Sequence, residues 1–434
     1  MKKQYKFIED YYNFAKKELF TINRSLTGKG NLKTLKLLKK KNNLIKIKKI
    51  KSGTKVFDWK VPHEWNVDDA FVLDKNKKKI IDFKENNLHL IGYSIKTKKK
   101  LKKNEFLKKI FFIKSKPNAI PYITSYYKKN WGFCLSYNEF KRIERKYKKK
   151  DLFEIFINSK FKRNGNLLYG EAVIKGKSKK EILISTYICH PSMANNELSG
   201  PIVSLSLIKY FSKYKPNKTL RFIFISETIG SIAYIAKNFQ NLKNNLEGGF
   251  NLSCIGDERK HSCLLSKIED SASDEALLDS YKKLKIKKYK IHSFLERGSD
   301  ERQYNSPGID LPIASIFRTK YGCYPEYHTS EDNFNLVTIK GITGGFLVAK
   351  TSIENLLVKI VPKYKFLCEP QMGRRNLYPN LSRIKTKFPT KKIMDFLQYA
   401  DGYSSLKKIA KKINLNENKT KKIYLKLKKI KLIE

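Results

Sequence analysis

The chain has 434 residues and a formal net charge of +52, with 41% hydrophobic and 12% aromatic residues. This length and composition are typical of a globular protein with one large α/β domain and one or two small ones. No stretch approaches the roughly 18 apolar residues of a membrane span, so we expect no membrane association. The six cysteines show no CxxC spacing, which predicts reduced thiols and a cytoplasmic protein.

The positive charge is spread along the whole chain. Lysine-rich segments occur at 45–53, 96–104, 141–150 and 425–432, and arginine, the residue that reads bases and forks onto phosphate, is scarce at twelve. A nucleic-acid binder would gain affinity from clustered cations. The scattered pattern favours a solvated lysine surface instead.

The first part of the chain changes from helical to strand-like spacing. Apolar residues over 5–20 and 32–41 predict two helices. From 56 to about 123 the period is close to two, in short runs bounded by Pro, Asn and Asp, which indicates a small β-rich unit. The runs 152–161 and 167–176, joined by the turn-like KRNGN, predict a hairpin.

Two continuously apolar runs follow, EILISTYI at 181–188 and TLRFIFIS at 219–226, with a helical pattern at 201–214 between them. Apolar strand, helix, apolar strand is typical of an α/β sheet that is buried on both faces. The pattern continues to about residue 368. Beyond 385, the spacing predicts three short helices and a strand-like end, the order of a winged helix.

Polar residues stand at the ends of the predicted strands, where an open α/β sheet places its ligand site. These residues are His190, Asn195, Asn196, Glu197, Glu227, Thr228, Asp257, Glu258, His328, Glu331 and Asp332. Two imidazoles with several carboxylates are the ligand types that zinc prefers, and a further carboxylate can take a proton from water that the metal activates. The sequence therefore predicts a metal site at this edge.

Five motifs in order, HPSMANNELSG, ETIGS, GDE, GSDERQY and EYHTSED, resemble those of bacterial aminopeptidase-like proteins of the M28 zinc-peptidase clan, of the DUF2172/DUF4910 type. The resemblance covers nearly the whole chain. It implies an α/β fold, a three-layer zinc-peptidase-like mixed sheet with helices on both faces, plus a small β-rich inserted domain and a C-terminal winged helix. The expected boundaries are 1–55 for the N-terminal helices, 56–150 for the inserted domain, 151–368 for the core and 385–434 for the winged helix.

The resemblance also implies roles for individual residues. His190, Asp257 and His328 take the places of metal ligands, and Glu227 takes the place of the catalytic base. The chain departs from the clan at Asn196, where an aspartate bridges two zincs, and at Thr228, where a second-metal glutamate stands. We therefore expect about one zinc per chain, with Glu197 as a candidate re-routed ligand and Asn196 as a weak one.

Substrate contact is predicted for Arg297, Ser299 and Asp300, which follow another strand-like run. The expected substrate is a small peptide or an amino-sugar-like molecule, and the resemblance points to surface-polysaccharide biosynthesis as one setting. The predicted winged helix has no arginine on its last helix, so nucleic-acid binding is disfavoured, although it stays open. Homo-oligomerisation is also an open alternative.

Two hypotheses from different classes remain at this point. The first is a zinc-dependent, aminopeptidase-like hydrolase that cleaves an amide bond next to a free amine. The second is a non-catalytic binding or scaffold protein in which a degraded two-metal site has lost its chemistry and the winged helix mediates association.

Overall fold

The computed structural model describes residues 5–378 and 390–434. Its N-terminal part is helical, as the apolar spacing predicts. Helix α1 (Lys6–Phe14) continues as a π-helical segment over Ala15–Leu19, and α2 (Lys29–Lys41) leads into strand β1 (Lys46–Lys51). Buried residues of α1, among them Ile8 and Phe14, pack into the main hydrophobic cluster.

A small β-rich unit comes next. Its elements are β2 (Lys55–Val56), β3 (Trp59–Lys60), β4 (Glu64–Leu73), β5 (Lys79–Asp82), β6 (Thr97–Lys102), α3 (Lys103–Leu107), β7 (Ile110–Phe111), β8 (Phe133–Cys134), α4 (Tyr137–Lys146) and β9 (Leu152–Lys162). Four of the strands form an antiparallel sheet in the order β5-β4-β9-β6.

The rest of the core alternates strands and helices. The elements are β10 (Asn166–Ile174), β11 (Glu181–Tyr187), α5 (Ser199–Phe211), β12 (Thr219–Ile225), α6 (Ile229–Asn245), β13 (Leu246–Leu252), β14 (His261–Leu264), α7 (Ala272–Lys283), β15 (Tyr289–His292), α8 (Glu301–Tyr304), β16 (Ile313–Phe317) and α9 (Ile339–Val358). The large sheet is mixed, in the order β1-β10-β12-β11-β13-β16-β14-β15.

The predicted hairpin over 152–176 is wrong. Strand β9 pairs with β4 and β6 in the small sheet, whereas β10 pairs with β1 and β12 in the large one. The turn after β9 thus carries the chain from one sheet to the other. Both strands are rich in apolar residues, and this local composition is the same whether two strands pair with each other or with distant partners.

The centre of the large sheet positions the candidate site. Strand β11 lies between β12 and β13 and is parallel to both, with Ile184 opposite Phe222 on one side and Phe250 on the other. Alternate residues of β11 enter two hydrophobic clusters: Ile184 packs with α5 and α9, and Leu183 packs with α6. The sheet therefore has helices on both faces, as predicted, and its parallel strands end at one edge.

The tail forms a separate small unit. Its helices are α10 (Thr390–Gln398), α11 (Leu406–Lys412) and α12 (Glu417–Lys429), and Ile433 pairs with Tyr364 in an isolated bridge. The hydrophobic cluster of the tail also takes in Met372 and Leu377, which precede the boundary predicted at 385; that boundary itself lies outside the described residues. Throughout 5–378 and 390–434, no helix combines the length and apolar character of a membrane span.

Candidate metal and catalytic site

A short π-helical segment, Ala194–Leu198, joins the end of β11 to α5 and carries two of the predicted site residues. The buried carboxylate of Asp332 fixes this segment by accepting the backbone N–H groups of Ala194, Asn195 and Asn196 at 3.1, 2.5 and 3.0 Å. Burial raises the pKa of Asp332 to about 6. One carboxylate thus satisfies the N–H groups that the first turn of a helix leaves free.

His190, Glu197 and Arg24 form a buried charge cluster behind the site. His190 Nδ1 lies 2.8 Å from Glu197 Oε2, and Arg24 Nε lies 3.7 Å from Glu197 Oε1, with both side chains fully buried. Arg24 also donates to the backbone oxygens of His190 and Leu19. Although burial opposes the charged imidazole, the hydrogen bond and the charge of Glu197 raise the pKa of His190. Because Glu197 occupies Nδ1, the nitrogen available to a ligand is Nε2.

Glu227 faces that free nitrogen. It follows β12, and its Oε2 lies 3.6 Å from His190 Nε2. The Ser299 hydroxyl donates to Glu227 Oε1 at 2.6 Å. Burial raises the pKa of Glu227, and the charge of His190 offsets only part of this rise. The side chain of Glu227 is 22% exposed.

The residue after Glu227 is held in a strained conformation. Thr228 has a φ of 63°, and its N–H donates to Asp300 Oδ1 at 2.7 Å. Asp300 also accepts the Ser231 hydroxyl, and burial raises its pKa to about 8. The Thr228 hydroxyl accepts from Arg302. The position that the clan gives to a second-metal glutamate is therefore occupied by a neutral side chain that already has a partner.

His328 lies beside His190, with the two ring centroids 5.2 Å apart. Its backbone has a φ of 55°, and the Tyr327 ring stacks on it at 3.8 Å. Burial, followed by the charge of His190, lowers the pKa of His328 to about 2, which leaves its imidazole neutral. Among the described residues, its buried Nε2 has no hydrogen-bond partner.

The two other predicted ligands differ in their surroundings. Asp257 is buried, and its carboxylate accepts from the Asn195 amide, the Thr319 N–H and hydroxyl, and the Arg259 N–H. This carboxylate therefore has four protein donors, and among the described residues no hydrogen bond joins it to either histidine. Asn196 is also buried, and its Nδ2 donates to the Tyr187 hydroxyl at 2.8 Å, whereas its Oδ1 has no partner in the described part of the chain.

These surroundings fit one metal ion. Unpartnered buried acceptors are costly, and three of them here belong to predicted ligands: His328 Nε2, Asn196 Oδ1 and Glu197 Oε1, the last of which faces the Arg24 cation. His190 Nε2 is a further potential ligand atom of the metal. Glu197 orients the ring through Nδ1, as is common for ligating histidines. In residues 5–378 and 390–434 one further group, Cys189, His190 and Glu197, has ligand atoms within 4.8 Å of one another. We do not assign a metal to this group, because His190 Nδ1 and the Glu197 carboxylate already bond each other beside the Arg24 cation. Asn196 and Thr228 supply no carboxylate for a second metal.

The predicted substrate residues separate into two groups. Ser299 contacts Glu227 and Asp300 supports Thr228, whereas the exposed Arg297 guanidinium lies over the Phe294 ring at 5.1 Å, turned to its own loop. Two residues of the site, Arg24 and Tyr122, were not among the predicted site residues, although the Tyr122 ring lies against both histidines. An arginine in the turn-like segment NRSLTGKGN and the tyrosines of PYITSYY are signals without a specific chemistry, so only the structure assigns them to the site.

Comparison with known proteins gives the chain a family. Residues 12–358 match the family described as "Domain of unknown function (DUF4910)", and residues 360–434 match a winged helix-turn-helix family. The chain belongs to the DUF4910 family. A relative from Clostridium acetobutylicum, described as "Putative polysaccharide biosynthesis protein with aminopeptidase-like domain", is 38% identical over 419 residues, which cover 95% of this chain and 93% of the relative.

Three solved structures have folds similar to that of this chain. A crystal structure of a "putative peptidase" from C. acetobutylicum has a TM-score of 0.78 and 36% identity, covering 99% of this chain and 96% of that one. A zinc aminopeptidase from Bacillus subtilis has a TM-score of 0.60 at 13% identity, covering 80% of this chain and 94% of that one. A peptidase M28 precursor from Shewanella amazonensis has a TM-score of 0.53 at 13% identity, with 81% and 96% covered. The predicted M28-type fold and the winged helix are thus confirmed.

Proposed function

We propose that this DUF4910 protein is a hydrolase that holds one zinc ion through His190 Nε2, His328 Nε2 and Asn196 Oδ1, and that cleaves an amide bond with Glu227 as general base. The observation that carries the proposal is the 3.6 Å separation of Glu227 Oε2 from His190 Nε2, the nitrogen that Glu197 leaves free. The likeness to zinc aminopeptidases supports the fold on which such a site is built.

Zinc, when bound, supplies Lewis-acid activation of water and of a substrate carbonyl. Residues of the chain accept and return the proton. Glu227 accepts it at Oε2, while the Ser299 hydroxyl holds Oε1 in place. The pKa of Glu227 is raised toward neutral pH, so the carboxylate can both take a proton and return it to the leaving amine. Such proton transfer contributes ~100- to 10,000-fold in rate.

The substrate we infer has an amide bond next to a free amine, on a small peptide or an amino-sugar-like molecule. The peptide follows from the fold, and the sugar from the relative whose description names polysaccharide biosynthesis. The free thiols of the six cysteines suit the reducing cytoplasm as the setting.

One observation favours a second candidate function, a binding or scaffold protein without catalysis. Both positions that would serve a second metal carry neutral side chains, and Thr228 is already bonded to Arg302 and Asp300. If one metal is insufficient for the chemistry, the site remains a ligand pocket and the winged helix provides association.

Glu227→Gln tests the first candidate, because it preserves shape and removes basicity. The assay is release of 4-nitroaniline from aminoacyl anilides and of acyl groups from acylated amino sugars, with zinc measured by elemental analysis. We expect turnover to disappear while zinc content stays near one per chain, and His190→Ala to lose the metal as well. Glu258→Gln, an exposed acid paired with Lys340, is the matched control and should behave like the parent.

Two results would contradict the assignment. Full activity of Glu227→Gln would remove its role as base, and loss of zinc from that variant would make it a ligand. A parent protein that binds no zinc even when the ion is added would favour the scaffold function.

A further inference from the structure

Aromatic rings run from the two histidines toward the surface. The Tyr122 ring lies 5.1 Å from the ring of His190 and 5.2 Å from that of His328. Its hydroxyl is 3.0 Å from the hydroxyl of Tyr126. Tyr127 is the next residue in the chain after Tyr126, and its ring meets that of Trp59 at 5.8 Å with the planes inclined by 66°. We call Tyr122, Tyr126, Tyr127 and Trp59 the aromatic path.

The outer end of the aromatic path is open to solvent. Trp59 is 40% exposed and Tyr127 is 55% exposed, while Tyr122 and Tyr126 are half-buried. Phe161, also 40% exposed, borders the path through Tyr93, whose ring touches both Phe161 and Tyr126. Large aromatic side chains grouped at a surface mark interaction sites more than isolated ones do.

The surroundings of the outer end are cationic. Lys60, Lys128 and Lys129 flank Trp59 and Tyr127 in the chain and all three are exposed, against one exposed acid, Asp58, next to Trp59. Among the described residues none of the three takes part in a salt bridge, although many other lysines of the protein do. A ligand with negative charge would therefore meet unpaired cations beside the rings.

We propose that the aromatic path binds a glycan chain of linked pyranoses that carries acidic groups, and leads one of its sugars to the histidines. A pyranose has C–H faces that pack on aromatic rings and hydroxyls at its rim, and the path offers rings together with the hydroxyls of Tyr122, Tyr126 and Tyr127. This inference deepens the proposed function, on which it rests only for the reaction at the inner end.

A peptide fits this surface less well than a glycan. Extended peptides are recognised mainly by main-chain hydrogen bonds along an exposed strand edge. The strands at the outer end, β2 and β3, have two residues each and pair with one another, Val56 opposite Trp59. Side-chain rings and cations, rather than a strand edge, are what the aromatic path presents.

The test uses a hyaluronan hexasaccharide, which alternates an N-acetylated amino sugar with a uronic acid, titrated into the full-length protein by calorimetry. Tryptophan fluorescence gives a second readout, since Trp59 is exposed whereas Trp65 and Trp131 are buried. We expect saturable binding with a change in emission, weakened about tenfold by Trp59→Ala or Tyr127→Ala. Tyr214→Ala is the control and should bind like the parent, because Tyr214 is 45% exposed, between Trp59 and Tyr127, but packs on Tyr210 and Phe211.

Charge is tested separately by the double variant Lys128→Ala/Lys129→Ala, which should weaken binding and reduce its salt dependence. Equal affinity for neutral cellohexaose would overturn the acidic part of the proposal. No binding of the hexasaccharide at millimolar concentration, or binding of a tetraglutamate peptide that depends on Trp59 in its place, would overturn the glycan assignment. The titration is repeated on Glu227→Gln, whose binding should persist, so that failure of hydrolysis and failure of glycan binding are separate results.

Discussion

Glu197→Gln is the most informative single change, because Glu197 links a buried cation to the histidine of the site. The substitution preserves volume and leaves an amide oxygen for His190 Nδ1, but it removes the carboxylate that lies 3.7 Å from Arg24 Nε. Burial lowers the pKa of Arg24 and Glu197 counteracts this, so the variant leaves the guanidinium with only carbonyl partners.

The expected cost is set by the complete burial of both charges. Removing one partner of such a pair destabilises a protein by about 3–5 kcal/mol, and the retained amide acceptor for His190 places Glu197→Gln near 3 kcal/mol. The same change weakens the orientation of the imidazole, for which a loss of zinc affinity of about 10- to 100-fold is typical. Urea unfolding measures the first quantity and competition with a zinc-binding dye measures the second.

Two further variants make the experiment decisive. Glu258→Gln breaks an exposed ion pair and should cost less than about 1 kcal/mol. Arg24→Met combined with Glu197→Gln should be less destabilising than the sum of the single changes, because the two charges no longer leave each other unpaired. If Glu197→Gln unfolds like the parent and binds zinc equally well, the buried cluster neither stabilises the fold nor orients His190.

Other expectations concern the metal, the acids and the tail. Elemental analysis should find about one zinc per chain, and two tightly held ions would contradict this. The zinc should be held less tightly as pH falls, because protons compete for His190, whose pKa is raised by Glu197 although burial opposes the rise. Asp332 has a folded pKa of about 6, above the ordinary aspartate value of 3.8, so its favourable contribution is complete at low pH and is lost as pH rises from about 4 to 6. Asp332→Asn should flatten that part of the stability profile measured by urea unfolding and cost about 2 kcal/mol through lost acceptors. A chain ending at Val358 should still unfold in one cooperative urea transition and keep its zinc, because the tail has its own hydrophobic cluster; aggregation of the shortened chain would show that the tail covers part of the core.

The local patterns of the sequence predicted most elements of the fold. The continuous apolar runs at β11 and β12 and the helical spacing of α5 indicated a sheet covered on both faces, and the structure has this arrangement. Such patterns are reliable because burial of a whole strand demands apolar residues at every position. The ordered motifs after these strands also indicated His190, Glu227 and His328, which the structure brings together.

Pairing partners and side-chain partners were decided only by the tertiary structure. The sequence by itself could not place β9 and β10 in different sheets, because strand spacing is the same for any partner. It could not show that four donors occupy Asp257, that Glu197 turns to Nδ1 of His190 beside Arg24, or that Tyr122 reaches the histidines from the small β-rich unit. Each of these contacts joins residues that are distant in the chain or depends on how a side chain turns, and only the packing of the complete fold determines both.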